Sequence, residues 1–206
     1  HYAPLGPTDD CPSEPITIIV SIADKIDSLV GFFGINEKPT GSKDPFALRR
    51  AALGIIRIIL ENNLRIPLNQ LISKSLEEYP DLTNSNELLD FINERLKVYL
   101  RTSGVRPDLI AAIFAAGKED DLCRLISRVK ALENFLGTDD GANLLIAHRR
   151  AANIVSIEAK KDNTDFAGMP DPKTLELEEE RVLFAGLAET EKLVGESLIK
   201  EDFEGA

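Results

Sequence analysis

Five cations, Lys38, Lys43, Arg49, Arg50 and Arg57, fall between residues 38 and 57 of a chain whose net charge is −11. Lysine offers a point charge and arginine a planar fork of donors, and both suit phosphate oxygens. Asp44 and Pro45 stand in front of the arginines. That pair is a helix-start signal, because a carboxylate accepts orphan backbone N–H groups and proline at the first helical position has none to leave unpaired. The cations therefore flank a helix N-terminus, whose free N–H groups and dipole also favour an anion.

In the helix expected next, to about Asn62, Leu48, Ala52, Ile55, Ile56 and Ile59 form an apolar stripe. Arg50 and Arg57, seven residues or about two turns apart, fall nearly on one line beside it. Such an edge fits nucleic-acid phosphate. It equally fits a solvated face paired with acids such as Glu61, and both readings stay open. Gly41-Ser42-Lys43 is not a phosphate loop, since the full GxxxxGK[ST] pattern is absent.

A second basic set lies downstream, at Arg128 and Lys130 and at Arg149, Arg150 and Asn153. Charge is unevenly spread along the chain. Residues 38–65 hold six cations against two acids, a local net of +4, whereas residues 162–206 hold thirteen acids against four cations, a local net of −9. The average argues against broad nucleic-acid affinity, yet a polyanion can still dock on one basic face. The acidic run Glu178-Glu179-Glu180 would repel it and reads as a solvated helix face.

Every element that must position these groups reads as helix. Ser13-Glu14-Pro15 opens a first helix with Ile16, Ile19, Ala23, Ile26, Val30 and Phe33 at helical spacing. Pro67 starts a shorter helix that ends before Pro80. Thr83 or Ser85 caps one carrying Leu88, Leu89, Ile92, Leu96, Tyr99 and Leu100, which stops at Gly104. A short helix follows Pro107. Segments 120–135 and 139–160 read as a helical hairpin about Gly137, and a last amphipathic helix from about Thr174 has Leu183, Leu187, Leu193, Leu198 and Ile199 as core positions. No alternating run long enough for a strand is present. The fold class expected is all-α, an array of helical bundles.

At 206 residues with 43% hydrophobic and 29% charged positions, the chain is long enough to bury a real core. No apolar run suits a membrane span. The two cysteines, Cys11 and Cys123, form no CxxC pair, which points to a reducing cytoplasmic setting, and Cys123 falls among core positions. His148 has no second histidine or nucleophile near it in sequence. The chain starts at His1 without a signal peptide, so it is expected to begin inside a longer protein.

The segments 23–31 (ADKIDSLVG), 33–35 (FGI) and 38–54 (KPTGSKDPFALRRAALG) resemble the beta subunit of the bacterial two-subunit glycyl-tRNA synthetases. Segments 128–132 (RVKAL) and 148–155 (HRRAANIV) resemble the helical anticodon-binding domain of that subunit and of arginyl-tRNA synthetases. The resemblance implies that residues 1–66 are the end of an HD-like helical region. Residues 67–206 would be a DALR-like helical anticodon-binding domain, truncated at its C-terminus.

It further implies a tRNA-recognition role in glycine–tRNA ligation, with Lys38, Lys43, Arg49, Arg50 and Arg57 toward the tRNA body and Arg128, Lys130, Arg149, Arg150 and Asn153 toward the anticodon arm. The implied partners are glycine tRNA and a catalytic alpha subunit, where ATP and magnesium bind. No cofactor and no catalytic residue is expected in this chain itself. The alternative is a helical scaffold that docks the alpha subunit without touching RNA. Asp24 sits where an HD phosphohydrolase would hold a metal ion, but that site needs histidines on earlier helices, so no metal site is assigned.

Overall fold

The computed structural model describes residues 2–79, 85–117, 119–166 and 168–206. Its elements are α1 (Pro15–Gly34), α2 (Leu48–Glu61), α3 (Leu68–Leu76), α4 (Ser85–Thr102), α5 (Pro107–Ala115), α6 (Leu122–Leu136), α7 (Asp139–Asp162), a 3-10 turn (Pro172–Thr174) and α8 (Glu178–Ile199). Only two isolated bridges, Thr40 with Lys43 and Pro67 with Asp121, break the all-helical character among the described residues. The all-α expectation holds. Thr83 lies outside the described residues.

The chain divides into two compact units, residues 1–129 and 130–206. In the first, α2 packs on α1 and α4, α3 packs on α1 and α4, and α5 on α4. These pairings cross the 66/67 division that the resemblance implies. The core is built from Ile22, Ile26, Leu29 and Phe33 of α1, Leu48 to Ile59 of α2, Leu68 and Ile72 of α3, and Leu88, Ile92, Leu96 and Leu100 of α4. Each fully buried Leu or Ile contributes roughly 1.5–3 kcal/mol.

Two expectations need correction here. On α1 the buried stripe is Ile18, Ile22, Ile26, Leu29 and Phe33, whereas Ile16 and Ile19 are exposed. The helix is apolar on more than one side, and its phase is set by which side meets α2 and α3. The second helix starts at Leu48 rather than at Pro45. Asp44 still caps it, its carboxylate accepting from the N–H groups of Leu48 at 2.8 Å and Arg49 at 3.0 Å. Pro45 and Phe46 lie in a turn closed by Ala47 N–H on Asp44 O, and Ala47 takes a left-handed φ of 56°. The Phe46 ring stacks on Phe32 at 4.0 Å, which anchors the turn against α1.

Residues 2–12 form no regular element and are held by two buried cations. The Lys25 ammonium, on a residue only 6% exposed, donates to the carbonyls of Tyr2 and Ala3 and to Ser21 Oγ. The Arg57 guanidinium, on a residue 8% exposed, donates to Gly6 O at 2.8 Å, Asp9 O at 2.6 Å and the Glu61 carboxylate at 2.8 Å. Gly54 makes room for the first, because a Cβ there would stand 2.6 Å from Lys25 Cε.

In the second unit Thr138 caps α7 by accepting from Gly141 N–H at 3.1 Å. A side chain at Gly141 would meet Phe135 O at 2.1 Å, so that position requires glycine. The expected core residues of the last helix are exposed instead: Leu183 is 63% and Leu187 is 58% accessible, with Leu193, Leu198 and Ile199 also open. Leu144, Ile146, Ile154, Val155 and Ile157 of α7 are exposed as well. Their periodicity reports a helix with an apolar face, and nothing among the described residues of this unit covers it.

Cys11, half-buried beside Arg57 and Glu61, provides a local probe of the N-terminal segment. Burial, its hydrogen bond with Glu61 and that carboxylate's charge push the thiol from 9.0 to about 11 against the opposing charge of Arg57. The unfolded thiol loses its proton first, so the stability contributed by Cys11 is present below pH 9 and lost between pH 9 and 11. Alkylation followed by peptide mapping should give Cys11 an apparent pKa near 11. A midpoint at the ordinary thiol value would show that the segment is not packed as described.

Candidate nucleic-acid interface

The line of cations on α2 does not stay on the surface. Arg50 is exposed, Arg49 half-buried and Arg57 buried, because α2 dives between α1 and α4 and its residues 55–59 are all enclosed. Arg49 donates to Gly41 O at 2.7 Å, tying the preceding turn to the helix. Burial works against the charge of Arg57, but the hydrogen bond and charge of Glu61, with Cys11 and Tyr99 adding to them, leave its pKa raised. It is thus permanently charged and already holds three acceptors.

The three arginines meet at one cavity of about 410 Å³ between α2 and α4. The α4 side supplies Arg95 and Tyr99, and the N-terminal segment supplies Pro7. No carboxylate is among the described residues that line it. Arg95 lies over the Phe91 ring at 5.8 Å, and its Nε is buried without a hydrogen-bond partner among the described residues. Thr102 and Ser103 also line the cavity, but both hydroxyls donate to Tyr99 O. The donors left for a ligand are arginine N–H groups and the Tyr99 hydroxyl. Such a site attracts an anion with several oxygens.

Arg95 and Tyr99 were not among the residues expected from sequence. Tyr99 falls in the apolar stripe read for that helix, with Arg95 four residues before it, and neither marks a site until α4 is placed against α2. The remaining cations are more dispersed. Lys38 pairs with Glu87 and lies 5.9 Å from the Phe33 ring centroid. Lys43 is exposed in a turn closed by reciprocal backbone bonds with Thr40. Arg128, in the first unit, is 3.9 Å from Glu119, an acid that it shares with Arg124.

In the second unit Lys130 is exposed on α6, and Arg149, Arg150 and Asn153 are exposed on α7 beside His148. These side chains are exposed on α6 and α7, and none lines the cavity between α2 and α4. Asp27 accepts from Tyr79 Oη at 2.7 Å. Among the described residues no group of three His, Cys, Asp or Glu converges to hold a metal ion. No described helix is long and apolar enough to cross a membrane.

The family model described as "Glycyl-tRNA synthetase beta subunit" matches residues 1–115. Over the whole chain the sequence is 52% identical to the glycine–tRNA ligase beta subunit of Rhodospirillum centenum, 48% to that of Paracoccus denitrificans and 46% to that of a Ruegeria species. The chain spans 29%, 30% and 29% of the lengths of these relatives, respectively.

The geometry separates a structural from a free arginine on the same helix. Arg57→Ala leaves the carbonyls of Gly6 and Asp9 and the Glu61 carboxylate without their donor and should cost about 2–4 kcal/mol in urea unfolding. Arg50→Ala, on the exposed first turn, should stay within about 0.5 kcal/mol of the wild type. Equal losses at the two positions would contradict this division.

Proposed function

Since the chain belongs to the glycyl-tRNA synthetase beta-subunit family, we propose that it is a tRNA-recognition portion of a glycine–tRNA ligase. On this reading it supports the ATP-dependent attachment of glycine to its tRNA by an alpha subunit in the cytoplasm. ATP and magnesium act at that subunit, and this chain contributes neither a catalytic residue nor a cofactor site. Its chemistry is electrostatic: arginine and lysine replace the counterions of RNA phosphates and orient the molecule without forming bonds to it.

The observation that carries this reading is the meeting of Arg49, Arg50, Arg57 and Arg95 at a cavity with no carboxylate lining, in a chain that is acidic on average. Arg49 and Arg50 carry the contact there, with Lys43 in the adjoining turn and Lys38 at its edge. Arg57 holds the wall. In the second unit Arg149, Arg150 and Asn153 suit unpaired bases of the anticodon arm, where a guanidinium stacks on a base and an amide reads an edge, with Lys130 toward backbone phosphate; Arg128, in the first unit, is assigned to phosphate as well. In family terms, residues 1–66 are the end of an HD-like region and residues 67–206 belong to a DALR-like domain.

A second reading is favoured by the exposed apolar rows of α7 and α8, which suit a protein surface better than RNA. In that reading the chain docks the alpha subunit. The two separate in solution. Binding of the full chain to glycine tRNA and to an unrelated tRNA, followed by anisotropy at about 50 and about 200 mM salt, should favour the glycine tRNA and weaken by orders of magnitude at the higher salt. Replacing Arg149 and Arg150 together by Ala should reduce affinity about tenfold or more. Absence of tRNA binding at low salt, with retention of the chain on purified alpha subunit, would leave the scaffold reading in its place.

A further inference from the structure

A cavity between packed helices offers something that a basic helix surface does not, namely donors held in place before the ligand arrives. Three features of the cavity between α2 and α4 identify what it would hold. Four arginines line it and no carboxylate does among the described residues, so a cationic ligand has no countercharge there. Arg95 lines the cavity, and its Nε is enclosed and without a hydrogen-bond partner among the described residues. Arg50 has an exposed guanidinium on the rim, while Arg57 is engaged by Gly6, Asp9 and Glu61 and serves as a fixed background charge.

The nearby hydroxyls of Thr102 and Ser103 are turned to Tyr99 O, leaving the guanidinium groups and the Tyr99 hydroxyl as donors. Such a set matches a tetrahedral oxyanion, whose oxygens accept from several arginines at once. Its volume, about 410 Å³, admits a phosphate with an attached ribose but not a duplex end.

Resting on the tRNA reading above, we propose that this cavity seats one phosphate group of the bound tRNA, with the half-buried Arg95 as its donor from α4 and Arg50 as its rim cation. Arg95 is thereby a binding residue contributed by α4, on a helix outside the basic run of residues 38–57. The phosphate replaces its water shell with preoriented N–H groups, and seating it fixes the RNA backbone against this face of the first unit.

The test compares the full chain with Arg95→Gln, Arg95→Lys and Arg50→Gln for tRNA affinity across a salt series, with circular dichroism to establish the fold. Arg106→Gln is the control, because Arg106 pairs with Asp108 and does not line the cavity. Each glutamine variant should bind about tenfold more weakly and show a salt slope shallower by about 0.7–0.9, the loss of one phosphate contact. Arg95→Lys should keep the wild-type slope while losing affinity, since it retains charge but not the forked donor. A general loss of packing would not divide slope from affinity in that way.

Wild-type affinity and slope in the folded glutamine variants would overturn the proposal while leaving the tRNA reading intact. Absence of tRNA binding by the wild type would overturn both. Calorimetric binding of inorganic phosphate that the variants abolish, alongside unchanged tRNA affinity and slope, would make the cavity a free-anion site and overturn the proposal as well.

Discussion

The first unit depends on an exchange between buried cations and an irregular stretch of backbone. Residues 2–12 have no helix or sheet to satisfy their carbonyl groups, and carbonyls packed against a core need donors. Lys25 and Arg57 are enclosed by the core, and enclosed cations need acceptors. Each solves the other's problem: Lys25 takes Tyr2 O and Ala3 O, and Arg57 takes Gly6 O and Asp9 O. Burial still lowers the Lys25 pKa, with only Asp24 and Cys11 opposing it. Arg57, with Glu61 beside it, remains charged throughout. Because Pro7 lines the arginine cavity, the same exchange that fastens the segment also shapes the site.

Pairing decides which cations are available to a ligand, and a count along the sequence cannot show it. Of the six in residues 38–65, Lys38 is matched by Glu87, Arg57 by Glu61 and Arg65 by Asp121. Lys43, Arg49 and Arg50 have no carboxylate partner among the described residues, and Arg95 joins them from α4 across the cavity. Three of these four, Arg49, Arg50 and Arg95, line the cavity with Arg57, and of the three arginines on α2 only Arg57 is paired with an acid. At the other end of the chain the acidic run on α8 is locally satisfied, since Glu178, Glu179 and Glu180 occupy a helix first turn whose dipole favours them.

Local signals carried the reading of the fold. Proline, glycine and capping residues marked the helices within a few positions, and the Asp44 cap was correctly identified even though Pro45 and Phe46 form a turn before the helix begins. Phase was harder. Ile16 and Ile19 of α1 are as apolar as Ile18 and Ile22, and only the placement of α2 and α3 decides which pair is buried. The straight line from Arg50 to Arg57 was geometrically sound as a helix property, yet depth along that line depends on neighbours. Arg95 was invisible for the same reason: its relation to Arg50 exists only through helix packing, at a separation of forty-five residues. On α7 and α8 the apolar spacing was legible and the absence of a cover was not.

The two basic regions differ in how much order a ligand must impose. Arg149 and Arg150 extend from an exposed helix, and binding must freeze long side chains that are otherwise free, at roughly 0.5–1.5 kcal/mol for each. Arg49 is already tied to Gly41 O, Arg57 to three acceptors and Arg95 to the face of Phe91. Their ordering cost was met during folding. A phosphate that enters the cavity therefore keeps more of its electrostatic gain than one that meets α7, even though both meet the same residue type. The cavity is thus suited to setting position, whereas the flexible arginines of α7 are suited to following bases that differ in shape.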